Sequence, residues 1–180
     1  MSIQNKDALI ELVDSGQPID YLFFWGHRPP KSRVSKSCLS QWYEASFGSG
    51  GVNYPTAEHY MMAEKARLFD DDEVLKKILA TASPATAKKL GRQVRGFDNE
   101  VWLQQRFDIV VAANVAKFSD NPALRRFLLE TNNQILVEAS PVDKIWGIGL
   151  AANHPDASSP RQWPGENLLE LMIVRSKLAI

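Results

Sequence analysis

PTAEHYMMAEKARLF, residues 55–69, decides the fold class of this chain. Thr56 is a good N-cap, and Ala57 to about Phe69 carries the spacing of a helix. On a helical wheel Glu58, Met61, Met62, Lys65, Leu68 and Phe69 share one face, while Tyr60, Glu64 and Arg67 lie towards the other and can be solvated. Glu58 and Lys65 are seven residues apart, so they point the same way, about 10 Å apart along the axis. A carboxylate and an amine on an apolar face are anomalous, because burying an unpaired charge costs several kcal/mol. Three explanations compete: each pairs with an opposite charge elsewhere, the long stems snorkel to water, or the face lines a hollow where the charges are used. In the third case burial lowers the lysine pKa and makes it a nucleophile, and the glutamate moves protons or stabilises positive charge.

Downstream the chain stays helical. Asp70-Asp71-Asp72-Glu73 opens a helix over about 72–81. Ser83-Pro84 starts a short one over 84–90, with Gly91 at the C′ position. Asp98 or Asn99 begins a long helix to about Phe118, and Asn121-Pro122 another to about Glu130. Residues 135–138 (ILVE) read as a strand or extended buried segment, and 167–177 as a closing helix. Between them, 140–164 is irregular yet rich in apolar residues, which predicts an ordered, packed loop.

Upstream, 3–14 reads as a short helix with Ile3, Leu9, Ile10 and Leu12 inward. YLFFW, 21–25, reads as a strand ended by Gly26, Pro29 and Pro30. Residues 31–37 are basic and solvated, and CLSQWY, 38–43, suggests a second short strand. The glycine-rich run from Phe47 to Pro55 is a loop without P-loop spacing. The expectation is a mainly α-helical single domain with a few short strands: residues 1–20 form an N-terminal extension or short helix, and 21–180 the domain.

Composition narrows the function. The chain has 180 residues, 44% hydrophobic and 23% charged, which suits one domain with a sizeable core. Lys plus Arg and Asp plus Glu both number 21, which disfavours a strongly basic nucleic-acid module. The single cysteine, Cys38, excludes an internal disulfide and a cysteine-cluster zinc site. His27, His59 and His154 lack metal-ligand spacing, so no metal is expected, and His59 reads as a packed or capping residue. No signal-peptide pattern and no long apolar run occur, so the expectation is a cytoplasmic protein with no membrane partner.

Two further groups are candidates. Asp143 sits in a turn before Trp146-Gly147, where glycine lets a ligand approach the backbone; the alternative is a turn residue with local hydrogen bonds. Trp25-Gly26, Trp102 and Trp163 stand at element ends, where flat rings can sandwich a base or sugar. Arg92 and Arg95 follow a helix end and suit a phosphate.

These residues resemble the NADAR, or YbiA-like, family. The similarity lies in Phe24-Trp25-Gly26, in LSQWY (39–43), in YPTAEHYMM (54–62) with Lys65-Ala66, in LVEASP (136–141) with Asp143 and WGIG (146–149), and in Trp163, Gly165 and Asn167-Leu168-Leu169. Glu170 departs from the pattern, where a small residue is expected. The resemblance implies a mainly α YbiA-like domain that needs no cofactor and cleaves N-glycosidic bonds. Its substrates would be phosphorylated ribosylamino-pyrimidine intermediates of riboflavin biosynthesis. Other members remove ADP-ribose from guanine, and a non-catalytic ADP-ribose or NAD-binding module is a further alternative. Carried onto this chain, the resemblance implies Glu58 as carboxylate and proton carrier, Lys65 as nucleophile, and Asp143 as orienter of the ribose hydroxyls. Trp25, Gly26, Arg92, Trp102, Trp146 and Trp163 would bind substrate.

Overall fold

Side-chain caps set most of the helix starts in the computed structural model, which describes residues 5–28 and 33–180. Asn5 caps α1 (Lys6–Asp14), Thr56 caps α2 (Ala57–Leu68), Asp71 caps α3 (Asp72–Ala80), Ser83 caps α4 (Pro84–Gly91) and Asp98 caps α5 (Asn99–Asp120). In each, the side-chain oxygen accepts a first-turn backbone N–H, worth about 1 kcal/mol. Two helices, α6 (Pro122–Glu130) and α7 (Leu168–Lys177), start without such a bond. Ile3, Pro29, Pro30 and residues 31 and 32 of the basic segment lie outside the described residues.

Strand β1 (Tyr21–Phe24) pairs in parallel with β4 (Ile135–Glu138), placing Tyr21 opposite Ile135 and Phe24 opposite Glu138. Alternation along this ribbon divides the apolar interior. Leu22, Phe24 and Leu136 face the main core, built with α2 to α7. Tyr21, Phe23, Ile135, Val137 and Ala139 face a smaller core containing Leu9, Ile148, Ala157 and Trp163. In the main core, α2 packs against α3, α4 and α5, while α5 also packs against α6 and α7.

Three local expectations need correction. The predicted loop 47–55 contains a hairpin, β2 (Phe47–Ser49) with β3 (Val52–Tyr54). Gly50 and Gly51, at φ 56° and 77°, supply the two left-handed turn residues that a tight hairpin needs. The predicted strand 38–43 is instead a 3-10 turn, Lys36–Leu39, followed by further turns. Local turn bonds run from Cys38 N–H to the Ser35 carbonyl, from Ser40 N–H to Ser37 and from Tyr43 N–H to Ser40, and the buried Lys117 ammonium of α5 braces them by donating to the Cys38 carbonyl at 2.6 Å and the Ser40 carbonyl at 2.8 Å. Gly91 ends α4 rather than following it, and its role is close packing. A Cβ there would lie 2.0 Å from Met62 Sδ.

The irregular stretch before α7 is ordered, as its apolar content suggests, by backbone bonds that stack three passes of chain. Ile148 N–H donates to the Glu138 carbonyl, Gly165 N–H to Ile148, and Asn167 N–H to Gly147. A Cβ on Gly165 would sit 2.2 Å from the Gly147 carbonyl oxygen and 2.8 Å from the Ile148 carbonyl carbon. Backbone on both sides leaves no room to yield. Gly165→Ala is therefore expected to cost on the order of 3 kcal/mol or more in chemical denaturation. Gly16→Ala, at φ 75° but with nothing within 4 Å, should cost only about 1 kcal/mol. Equal losses for the two would contradict this packing.

Candidate active site

A cleft opens where the start of α2 meets β4, the late loop and the turn before the hairpin. Glu58 and Met61 of α2, Ser40, Gln41 and Trp42 of the turn, Lys88 of α4, Val110 of α5, Glu138 of β4, Asp143 and Trp146 of the loop, and Leu169 of α7 line it. The cleft is narrow, with a volume of about 40 Å³. A broader, shallower hollow lies over α6 beside Arg125, Arg126 and Leu129, with no carboxylate beyond Glu130.

The walls are held by polar contacts. Glu58 N–H donates to the Gln41 carbonyl at 3.0 Å, joining α2 to the turn. Gln41 Nε2 donates to Asn114 Oδ1 at 3.1 Å, and Asn114 Nδ2 donates back along α5 to the Val110 carbonyl. Lys117 fixes the same turn from below; with no carboxylate beside it, burial pushes its pKa down to about 8. Asp143 Oδ1 accepts the N–H groups of Ile145 and Trp146, both at 2.9 Å, so the turn-residue alternative describes it correctly even though it lines the cleft.

Three carboxyls share this space, and two are starved of solvent. Glu58 is 2% exposed, and its Oε1 has no hydrogen-bond partner. Burial pushes its pKa up to about 7, with the Asp143 charge adding to the shift and Lys88, the Trp42 indole and Arg92 opposing it. Glu138 Oε2 is likewise buried and unpartnered. Burial, then Asp143 and Glu58, push Glu138 up to about 8 against the Lys88 charge. A carboxyl near neutrality can carry a proton in either direction at ordinary pH.

Lys65 stands outside this lining. Its Nζ lies 4.0 Å from the centre of the Phe97 ring and 5.5 Å from that of Trp102, and it has no ion-pair partner among the described residues. Burial lowers its pKa, and the nearby Arg92 charge lowers it further. Arg92 therefore acts on both Lys65 and Glu58, which makes the aromatic notch and the cleft neighbours along α2.

The predicted residues thus separate. Glu58, Asp143 and Trp146 meet in the cleft, and Lys65 lies beside Trp102 outside it, with the Arg92 charge acting on both Glu58 and Lys65. Trp25 is 60% exposed and Gly26 has open space around it, and neither lines the cleft. Trp163 is buried in the smaller core, with its indole N–H donating to the Ala157 carbonyl at 2.8 Å. Arg95 is engaged by Asp71, which leaves Arg92 as the available arginine of the pair. Gly147 is approached closely by the Glu138 carbonyl, 2.6 Å from a built Cβ, rather than offering its backbone to a ligand. His59 packs and caps, bonded to Thr56 Oγ1 at 2.8 Å and to the Thr81 carbonyl at 3.1 Å. Trp42, Lys88 and Glu138 were not picked out from sequence. Glu138 was within reach of the period-2 pattern, which puts it on the same strand face as Leu136. Among the described residues, no three His, Cys, Asp or Glu side chains are grouped to hold a metal ion, and no helix is long and apolar enough to cross a membrane.

Comparison with known proteins agrees with this architecture. The chain is 43% identical over 160 residues to an N-glycosidase of Acanthamoeba polyphaga mimivirus, covering 86% of this chain and 93% of that protein. It is 33% identical over 99 residues to the N-glycosidase YbiA of Escherichia coli, covering 55% of this chain and 60% of that one. With a riboflavin biosynthesis protein of Vibrio vulnificus it shares 32% identity over 111 residues, covering 62% of this chain but 29% of that longer protein. The NMR structure of E. coli YbiA superposes with a TM-score of 0.71 over 91% of this chain and 86% of that one, at 23% identity, which shows a shared fold. The NADAR domain model matches residues 23–179, and the chain belongs to the NADAR family.

Proposed function

We propose that this chain is a hydrolase of N-glycosyl bonds. Its substrate would be a small phosphorylated N-riboside of the ribosylamino-pyrimidine type found in riboflavin biosynthesis. The names of its relatives as N-glycosidases and riboflavin biosynthesis proteins support this reading. The observation that carries it is the buried, unpartnered Oε1 of Glu58 facing a cleft walled by Trp42 and Trp146. Breaking a ribose C1–N bond builds positive charge on the sugar, and a desolvated carboxylate stabilises that charge more strongly than one in water.

In this reading Glu58 faces C1 and moves protons there. Lys65 swings on its four-carbon stem from the Phe97 notch, attacks C1 of the opened sugar and forms a Schiff base, which water hydrolyses. Its lowered pKa supports that role, because a larger fraction of the amine is neutral. Asp143 orients the ribose hydroxyls, Trp146 and Trp102 stack on sugar or base, and Arg92 meets the phosphate. Trp163, packed in the smaller core, has no part in it.

Mass spectrometry of the base and ribose phosphate released from a panel of N-ribosides tests the reaction, with ADP-ribosylated guanine run beside it to test the same-class alternative. Lys65→Ala is expected to lose at least two orders of magnitude in kcat, roughly 3 kcal/mol of barrier, with the fold retained. Borohydride should trap a sugar adduct on Lys65. A normal rate in this variant would remove the Schiff base.

Glu58→Gln should lose a similar factor while gaining stability at higher pH. The folded-state pKa of about 7 lies above the unfolded value, so the wild-type carboxyl holds a proton that the unfolded chain releases. Its contribution is fully present below about pH 4 and is lost as pH rises through 7. The thermal midpoint of Glu58→Gln relative to wild type should therefore rise between pH 5 and pH 8, by roughly 2 °C or more. A constant difference across that range would contradict the burial of this group.

A further inference from the structure

The strand carboxyl Glu138 is the least explained polar group of the cleft. It is the last residue of β4, on the ribbon face shared with Leu22, Phe24 and Leu136. Its backbone is held on every side. The N–H donates to Asn167 Oδ1 at 3.0 Å, and the carbonyl accepts from Ser140 and Ile148. The side chain is free of such ties and enters the cleft with Oε2 buried and unpartnered, opposite Glu58 with Oε1 in the same condition. Two orphaned carboxyl oxygens in one small space are costly to the fold and supply what bond cleavage at nitrogen needs, a proton source facing a charge stabiliser.

We propose that Glu138 is a catalytic residue, the acid that protonates the departing nitrogen, while Glu58 faces the sugar carbon. This rests on the hydrolase reading above. As the C1–N bond breaks, its electron pair goes to the nitrogen, the Glu138 O–H bond breaks, and the proton forms the new N–H bond. The base leaves neutral and Glu138 becomes a carboxylate. Water then hydrolyses the sugar–Lys65 Schiff base, the oxygen goes to C1, and the proton that Lys65 finally releases restores the acid. The groups facing Glu138 fit the cycle. Glu58 of α2 and Asp143 of the loop hold its proton on, and Lys88 of α4 stabilises the carboxylate after transfer. Val110 of α5 and Leu169 of α7 add no charge.

The test uses the full chain and a series of 5′-phosphorylated N-ribosides whose leaving amines differ in basicity. Glu138→Gln keeps the shape and removes the proton. It is expected to lose at least 100-fold in kcat on the poorest leaving amine and under about 10-fold on the best, and to lose the alkaline limb of the kcat–pH profile. Glu138→Asp keeps a proton and should retain that limb at a reduced rate. A loss by Glu138→Gln that is uniform across the series, with the limb unchanged, would overturn the assignment and leave Glu138 a structural residue. If Glu138→Gln does not fold, loss of the limb in Glu138→Asp overturns it equally. Wild-type protein that cleaves no member of the series would instead sink the hydrolase reading itself.

Discussion

The side chain of Asn167 is the contact on which the rest of the site depends. Strand β4 pairs with β1 along one edge only, so its other edge exposes the Glu138 N–H and the Leu136 carbonyl. The Asn167 amide takes both, at 3.0 Å each, in place of a third strand. The same Nδ2 group reaches Glu170 Oε2 at 2.8 Å in the first turn of α7. To do this the residue adopts φ 53°, which asparagine tolerates better than most side chains. One amide thus registers the strand, the late loop and the last helix against one another. Buried Glu170, pushed up to about 8 by its surroundings, is the counterpart of this arrangement rather than a part of the cleft.

The cleft keeps its carboxyls at a cost in stability. Burial disfavours the charged form of both Glu58 and Glu138, the Asp143 charge pushes each pKa up further, and few bonds compensate. Elsewhere the fold handles buried charge differently. Asp71 accepts a main-chain N–H and two side-chain N–H groups from Arg95, which hold it well below the usual carboxylate range. Lys117 is satisfied by two carbonyls, of Cys38 and Ser40. Apart from the Tyr21 hydroxyl against the smaller core, the buried side-chain oxygens left without a partner among the described residues belong to the two cleft glutamates.

Helices were legible in the sequence because their signals are local. Thr56, Asp71, Ser83 and Asp98 cap the helices that the chain pattern places after them. The hairpin at Gly50-Gly51 was misread as a loop, since three-residue strands carry too little alternation to register. The turns over 38–43 were misread as a strand because part of what holds them, the Lys117 ammonium, comes from 79 residues beyond Cys38. In the site, Glu58 and Asp143 stood out through helix-face polarity and turn chemistry, and the family resemblance joined them. Lys88 and Trp42 gave no local sign, because only tertiary packing carries α4 and the turn to the same place. The wheel put Lys65 on the face of Glu58 correctly, but Phe97 and Trp102, far along the chain, determine where its amine rests.

The parallel partnership of Tyr21 with Ile135 has a consequence for how the molecule is made. At typical translation speeds the first strand waits on the order of ten seconds for its partner to be synthesised. During that interval the YLFF segment is an unpaired apolar edge on a nascent chain, the kind of segment that chaperones shield. Helices α2 to α5 have largely local neighbours and can form ahead of it. The carboxyl cleft, lined by β4, the loop and α7, is then the last part of the protein to be completed.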